Sequence, residues 1–410
     1  MMKTLALLAI LHLATLTQGS KSAKSPGCGE DPVSYNDGAW KMKKLQFQDQ
    51  FAVQGEIKRT YQVRLPKSKK LRMSTISMEL SVCIIFVTFF LDYDKDKAYP
   101  LIFKAHGYRG ASGQAARFDF GKLINQREDF ILVAPDGYSK SYNVNPNGPE
   151  ATYGILYHIL HFRIQNEHVS FFLLGNYSGP ICTLPRKKVN TCPSTCNPDV
   201  CKPTKNECYI GSSMCVDDLG FIEEIQTKLK NELCIDVNQM HYAGFSYGGV
   251  QGWNIASQAV DGLGFASFYI LASVPFLGNG MPPEEVNFSL FDLIGNVDKL
   301  MPPNSDYLQR PGIEGHDDIV ENKDGMYKPV KTDLLNKYAE KMGCEEEESW
   351  PTEFDGIKNF ECFERKCQNG KALVRCNGDF GHHPYDVLDG KNGEKVAPMI
   401  LDFMLAHPRK

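Results

Sequence analysis

The stretch Met240–Val250 reads Met-His-Tyr-Ala-Gly-Phe-Ser-Tyr-Gly-Gly-Val. Its centre, Gly244-Phe245-Ser246-Tyr247-Gly248, has the G-x-S-x-G form of a nucleophile elbow. In such an elbow a strand ends, the chain turns sharply, and a helix begins with the serine exposed at the apex. The glycines two residues either side leave room for the turn where a Cβ would clash. With 35 glycines among 410 residues, the same pattern also arises as a plain turn after a buried strand, so its meaning rests on the flanks.

Met240–Phe245 reads as the strand before the turn and Gly249–Ala259 as the helix after it. Upstream, Val216–Leu233 is an amphipathic helix with Leu219, Ile222, Ile225 and Leu229 on one stripe. Asp217 and Asp218 stand at its start, where acidic side chains favour the helix dipole. Ile57–Pro66 alternates as a half-buried strand, Tyr99–His106 is a strand ending in His106-Gly107, and Phe130–Pro135 is a short one ending in Asp136-Gly137. Ser112–Arg127 has helical spacing. Downstream come strands Phe265–Leu271 and Phe288–Gly295, then helices Thr332–Met342 and Ala397–Leu405. Strands alternating with helices predict an α/β fold, a mostly parallel central sheet flanked by helices, in a single domain over 57–410. Residues 20–56 read as a polar lead-in, loosely ordered over the Gly-, Pro- and Ser-rich Ser20–Gly38.

Two stretches break the pattern. Lys70–Leu91 carries an apolar run over Val82–Leu91 with no turn signal, and Gly154–Asn176 has neither helical nor strand periodicity. They read as irregular core segments or hydrophobic lids, or as unspliced intron sequence. Removing the first would also remove Cys83 and leave an even twelve of the 13 cysteines. Peptides from Met73–Leu91 in the mass spectrum of the secreted protein would exclude the intron reading.

The net charge of -4 gives no basic footprint for nucleic acid. Met1–Ser20 has a basic n-region at Lys3, an apolar core over Leu5–Leu16 and small residues at Thr17 and Gly19, so residues 1–19 are expected to be a cleaved secretory signal. The apolar run is too short for a membrane anchor, and the mature protein is expected to be extracellular, without a membrane partner. Thirteen cysteines agree with an oxidising compartment. Cys182, Cys192, Cys196, Cys201, Cys208, Cys215 and Cys234 crowd one region, with a Cys-rich insertion at about 177–215; Cys344, Cys362, Cys367 and Cys376 lie near the C-terminus. Cys192 and Cys196 have a tolerable zinc spacing, but in an exported chain disulfides are expected instead. Asn176 and Asn287 head glycosylation sequons.

If Ser246 is a nucleophile it needs a base to take its proton and an acid to orient that base. The base is expected downstream. Gly381-His382-His383-Pro384 follows Cys376-Asn-Gly-Asp, read as a flexible polar loop, and His382 is preferred to His383 because it directly follows the glycine. His407 reads as a solvated tail residue. For the acid, Asp298 closes the buried strand Phe288–Gly295, whereas Asp317 and Asp318 follow Gln309-Arg-Pro-Gly, which is no strand. An orienting carboxylate needs a rigid strand end behind it, so Asp298 is preferred, with a turn-capping role as the alternative. An oxyanion hole needs two backbone N–H groups. Tyr247 supplies one; Tyr108, with Gly107 as the alternative, supplies the other from the loop after Tyr99–His106. This chemistry requires no metal or cofactor.

With these pieces in order, the chain resembles the secreted polyhydroxybutyrate depolymerase and feruloyl esterase group of α/β-hydrolases. The resemblance is carried by Pro100-Leu-Ile-Phe-Lys-Ala-His-Gly107, Val133-Ala-Pro-Asp-Gly137, Cys215-Val-Asp-Asp-Leu-Gly-Phe-Ile222, Gly244-Phe-Ser-Tyr-Gly-Gly249, Ile294-Gly-Asn-Val-Asp298 and Gly381-His382. It implies an α/β-hydrolase fold with Ser246 as nucleophile, Asp298 as acid and His382 as base, and makes Asp217 and Asp218 structural. It also implies hydrolysis of hydroxycinnamoyl esters on polysaccharide, with short polyhydroxyalkanoate esters next. Ile294 stands where the group usually has histidine. No appendage for binding a solid polymer is visible, and a non-catalytic secreted binding protein of the same fold is the rival from another class.

Overall fold

The computed structural model describes residues 23–32, 41–48, 56–66, 93–108, 110–115, 127, 129–137, 158–164, 167–173, 218–258, 262–276, 280–303, 319–321, 327–350, 357–382 and 390–409. The expected signal segment, Lys70–Leu91, the whole of the Cys-rich insertion over 177–215, His383, Asp317 and Asp318 lie outside them.

The strands are β1 (Lys41–Gln48), β2 (Glu56–Arg64), β3 (Tyr99–Ala105), β4 (Ile131–Pro135), β5 (His158–Ile164), β6 (Glu167–Leu173), β7 (Ile235–Phe245), β8 (Ser267–Leu271), β9 (Ser289–Gly295), β10 (Ile319–Glu321), β11 (Tyr327–Pro329), β12 (Glu348–Trp350), β13 (Glu361–Cys367) and β14 (Lys371–Gly378). The helices are α1 (Ser112–Ala115), α2 (Asp218–Glu232), α3 (Tyr247–Gln258), α4 (Lys331–Lys341) and α5 (Gly390–Ala406). Ten strands form one sheet in the order β1-β2-β4-β3-β7-β8-β9-β14-β13-β12. The run from β4 to β14 is parallel throughout, and the strands outside it pair antiparallel.

The central strands are apolar almost throughout because helices cover both faces. Successive residues serve opposite cores. Leu101, Phe103 and Ala105 of β3 join Tyr242, Phe268 and Ile270 beneath α2, α3 and α4, which contribute Phe221, Ile225, Trp253 and Tyr338. Ile102, Ala243, Tyr269 and Leu271 face the other way, against Val396, Ile400 and Met404 of α5.

Three expectations change. The lead-in is not a loose tether. Ser25 N–H donates to Ile235 O at 2.9 Å, Val237 N–H donates to Ala23 O at 3.0 Å, and Cys28 is bonded to Cys234. Strand β1 also lies within it, paired with β2. An edge strand has a neighbour on one side only and needs little apolar content; of the residues Lys41–Leu45, Leu45 alone is buried. The Cys376-Asn-Gly-Asp stretch is not a flexible loop either. It ends β14, the parallel neighbour of β9, and the Cys362–Cys376 disulfide joins directly opposed residues of β13 and β14. A second disulfide, Cys344–Cys367, ties the end of β13 to the segment after α4. Finally, the described part of Gly154–Asn176 is a separate antiparallel pair, β5 with β6, despite its lack of alternation.

Within β7, His241 is fully buried between Gln239 Oε1 and Ser267 Oγ, each 2.9 Å from a ring nitrogen. The glutamine oxygen can only accept, so Nε2 carries the proton and Nδ1 accepts from the serine hydroxyl. Burial pushes the imidazole down to about 3, and burial lowers His106 and His407 as well. A histidine depressed in the folded state favours folding above its unfolded value near 6.5, and that contribution fades as the pH falls from there toward 3. Thermal melts are expected to lose stability below pH 6.5, with His241 accounting for about 2 kcal/mol at pH 5. A His241→Gln variant should show a flatter acid limb; an unchanged one would contradict this.

Candidate active site

Strand β7 ends at Phe245, and Ser246 turns the chain at φ 52°, the left-handed region that disfavours any residue with a Cβ. Its N–H donates to Leu271 O at the end of β8 (3.0 Å), and its carbonyl accepts from Val250 N–H (2.9 Å). The serine is therefore both the end of a strand and the start of α3. Helix α3 can approach the sheet this closely because Gly248 lacks a side chain: a Cβ there would sit 2.6 Å from His106 O.

Asp298 stands three residues beyond β9, completely buried. Its Oδ1 accepts the N–H groups of Leu300 (2.8 Å) and Met301 (2.9 Å), while Oδ2 lies 2.8 Å from His382 Nδ1. The turn-capping and orienting roles set against each other in the sequence thus coexist, one on each oxygen. His382 follows β14, and its Nε2 lies 2.8 Å from Ser246 Oγ. With the carboxylate accepting at Nδ1–H, Nε2 is left to accept the serine proton. The imidazole is 14% exposed, so the site opens to solvent on the histidine side. Serine, aspartate and histidine follow one another in chain order at the C-terminal ends of parallel strands β7, β9 and β14.

The chain has the α/β-hydrolase fold.

The two loops that carry acid and base are fastened to each other. Asn296 N–H donates to Gly378 O at 2.8 Å, and Asp379 accepts from the side chains of Asn296 (3.3 Å) and Asn359 (2.6 Å). At Gly295 the backbone of Phe380 crosses so closely that a Cβ would overlap its carbonyl oxygen.

The loop after β3 lies against the elbow: a Cβ on Gly107 would be 3.3 Å from Ser246 Cβ, and the rings of Tyr108 and Tyr247 meet at 5.1 Å. Tyr247 is the first residue of α3, so its N–H lies in the helix's first turn. His106 and Asp136, which in the sequence show only as polar residues between a strand and a glycine, brace this loop. Gly137 N–H donates to His106 Nε2 at 3.0 Å, so Nδ1–H donates to Gly107 O at 2.7 Å. Burial, the largest influence, lowers the His106 pKa and keeps the ring neutral in this role. Asp136 accepts from Thr60 Oγ1 and from Ser112 N–H, each at 2.6 Å, joining β2 to α1. The available signal was a shared one: each residue sits between a buried strand and a glycine. Asp218 pairs with Arg59 at 2.5 Å, both buried, with Phe221 beneath the guanidinium, which is a structural role. His407 is no solvated tail residue; its Nδ1–H donates to Phe403 O at 2.7 Å at the end of α5.

No protein-family model matches the chain, and no curated protein matches it. Among solved structures, a thermostable esterase is 12% identical with a TM-score of 0.40, over 90% of this chain and 63% of that one. An acetyl xylan esterase from Aspergillus awamori is 10% identical at 0.43, over 89% and 99%. A ferulic acid esterase is 14% identical at 0.30, over 64% and 81%. The chain spans less than two thirds of the length of the thermostable esterase. At these values the likenesses carry no argument about chemistry, which has to come from the site.

A hydroxyl held against a carboxylate-oriented imidazole can be activated toward an acyl carbon. In Gly295→Ala the new Cβ must displace Phe380 and with it His382, so hydrolysis of nitrophenyl acetate should fall about 100-fold. Gly381→Ala, with nothing within 4 Å of the new Cβ, should stay within about twofold. Equal rates for the two variants would show that the Gly295 crossing does not set the histidine's position.

Proposed function

We propose that the chain is a serine carboxylic-ester hydrolase. The observation that carries this reading is the single imidazole of His382, 2.8 Å from Asp298 Oδ2 on one side and 2.8 Å from Ser246 Oγ on the other. In this reading Ser246 Oγ attacks the ester carbonyl as His382 Nε2 takes its proton. Asp298 fixes the ring and stabilises the imidazolium. The N–H groups of Tyr108 and Tyr247 hold the tetrahedral oxyanion. His382 then protonates the leaving alkoxide, and water, activated by the same imidazole, releases the acid from Ser246.

The favoured substrate is a hydroxycinnamoyl ester on polysaccharide. It is supported by the half-buried rings of Tyr108 and Tyr247, 5.1 Å apart with Tyr247 next to the serine in the chain, which offer flat apolar surface to an aromatic acyl group. Action in an oxidising, extracellular setting is supported by the disulfides Cys28–Cys234, Cys344–Cys367 and Cys362–Cys376. Among the described residues, no helix is long and apolar enough to cross a membrane.

The folded, disulfide-bonded protein should hydrolyse nitrophenyl acetate, and Ser246→Ala should lower kcat by about 10⁴- to 10⁶-fold. Feruloylated arabinoxylan should release ferulate faster than hydroxybutyrate oligomers are cleaved; the reverse order would make the chain a polyester depolymerase. A folded wild type that turns over no ester would overturn the enzyme reading in favour of a binding protein.

A further inference from the structure

A buried ion pair lies directly behind the elbow. Lys331, the first residue of α4, places Nζ 2.5 Å from Asp292 Oδ1 in the middle of β9, and the two side chains are 3% and 1% exposed. No further hydrogen-bond partner reaches the Asp292 carboxylate among the described residues, so Lys331 is its main counter-charge, with a smaller attraction from Arg375 on β14. Two charges taken this far from water are costly, and a well-packed apolar pair is often at least as stable. The pair invites a reason beyond stability.

That reason is in the ammonium's other contacts. Lys331 Nζ donates to Ser273 O at 2.6 Å and stands 4.5 Å above the Trp253 ring of α3. The Trp253 indole N–H points at the same carbonyl from 3.4 Å. Ser273 follows Ala272, which is held at φ 46°, a left-handed conformation that alanine does not adopt without support. Immediately before Ala272 is Leu271, whose carbonyl accepts the N–H of Ser246. Immediately after it, Ser273 packs on the first turn of α3, where a Cβ on Gly249 would be 2.5 Å from Ser273 Cβ. Two strained residues, Ser246 and Ala272, are therefore joined across the ends of β7 and β8 by the carbonyl of the Leu271–Ala272 peptide, which holds the Ser246 N–H. The Lys331 ammonium clamps the far side of that contact, anchored to the strand that leads to Asp298.

We propose that Lys331 and Asp292 are positioning residues, which hold the Ala272–Ser273 turn and through it keep Ser246 at the apex of the elbow. Their place in catalysis rests on the esterase reading; their hold on the elbow does not. Lys331→Met alone leaves a buried carboxylate unpaired and can fail to fold. The informative variant is therefore Asp292→Leu with Lys331→Met, which replaces the pair by apolar side chains.

Hydrogen exchange is measured by mass spectrometry on peptides covering Gly244–Trp253 and Leu271–Val274, alongside kcat and KM for nitrophenyl acetate. The folded double variant should exchange these two segments about tenfold faster than wild type, with the β3 and α5 peptides unchanged. Its kcat should fall about tenfold with KM within about twofold, as a displaced nucleophile requires. Unchanged exchange at the elbow, or an unchanged kcat in a protein that hydrolyses the ester, would overturn the proposal. So would failure of the double variant to fold, since the pair would then serve the fold itself. Faster elbow exchange in a protein whose wild type is inactive would sustain the clamp and overturn the esterase reading alone.

Discussion

The arrangement depends on one close approach, that of helix α3 to the end of strand β3. With Gly248 pressed to the His106 carbonyl, the chain has no room to leave β7 gradually, and Ser246 must take the turn alone in a left-handed conformation. Strain of this sort, of order 1–3 kcal/mol, persists only where the surroundings over-determine it. Here they do. The serine N–H is held by β8, its carbonyl opens α3, and α3 is anchored by the fully buried Trp253. The reward is a hydroxyl standing clear of the sheet, in the first turn of a helix where N–H groups converge.

The remaining groups reach that hydroxyl because parallel strands finish on the same edge. Asp298 and His382 leave β9 and β14, which are hydrogen-bonded neighbours, and the crossing at Gly295 fixes one loop on the other. Asp298 is over-determined as well: two backbone N–H groups hold one oxygen, so the other can face only the imidazole. His106 and Asp136 perform the same service for the loop of Tyr108, with neutral and charged hydrogen bonds respectively. The site is a set of loops, each tied down by a polar side chain one to three residues past a buried strand.

What could be read from the sequence follows from this. Ser246 and Asp298 each follow a segment whose apolar content marks it as a central strand, and a glycine precedes His382, so their order was visible; that His382 follows a strand of the sheet, β14, was not. The edges of the sheet were not. In β1 only Leu45, and in β13 only Cys362, is buried among the residues whose burial is described, and no apolar period betrays such strands. The bracing roles of His106 and Asp136 were hidden for another reason: a polar residue before glycine is the ordinary composition of a turn, and their partners, Gly137 and Thr60, lie far away in sequence. The pairing of Asp292 with Lys331 belongs to the same class, since charge complementarity between distant elements leaves no local pattern.

In the proposed reaction everything follows from one property of the molecule, a Ser246 hydroxyl activated by His382. The most direct measurement is reaction of the folded protein with a fluorophosphonate, which esterifies only an activated hydroxyl, followed by peptide mapping. A single phosphonylated residue, Ser246, is expected, with labelling lost in His382→Ala. Labelling at another residue, equal labelling in His382→Ala, or no labelling of the folded protein would contradict it.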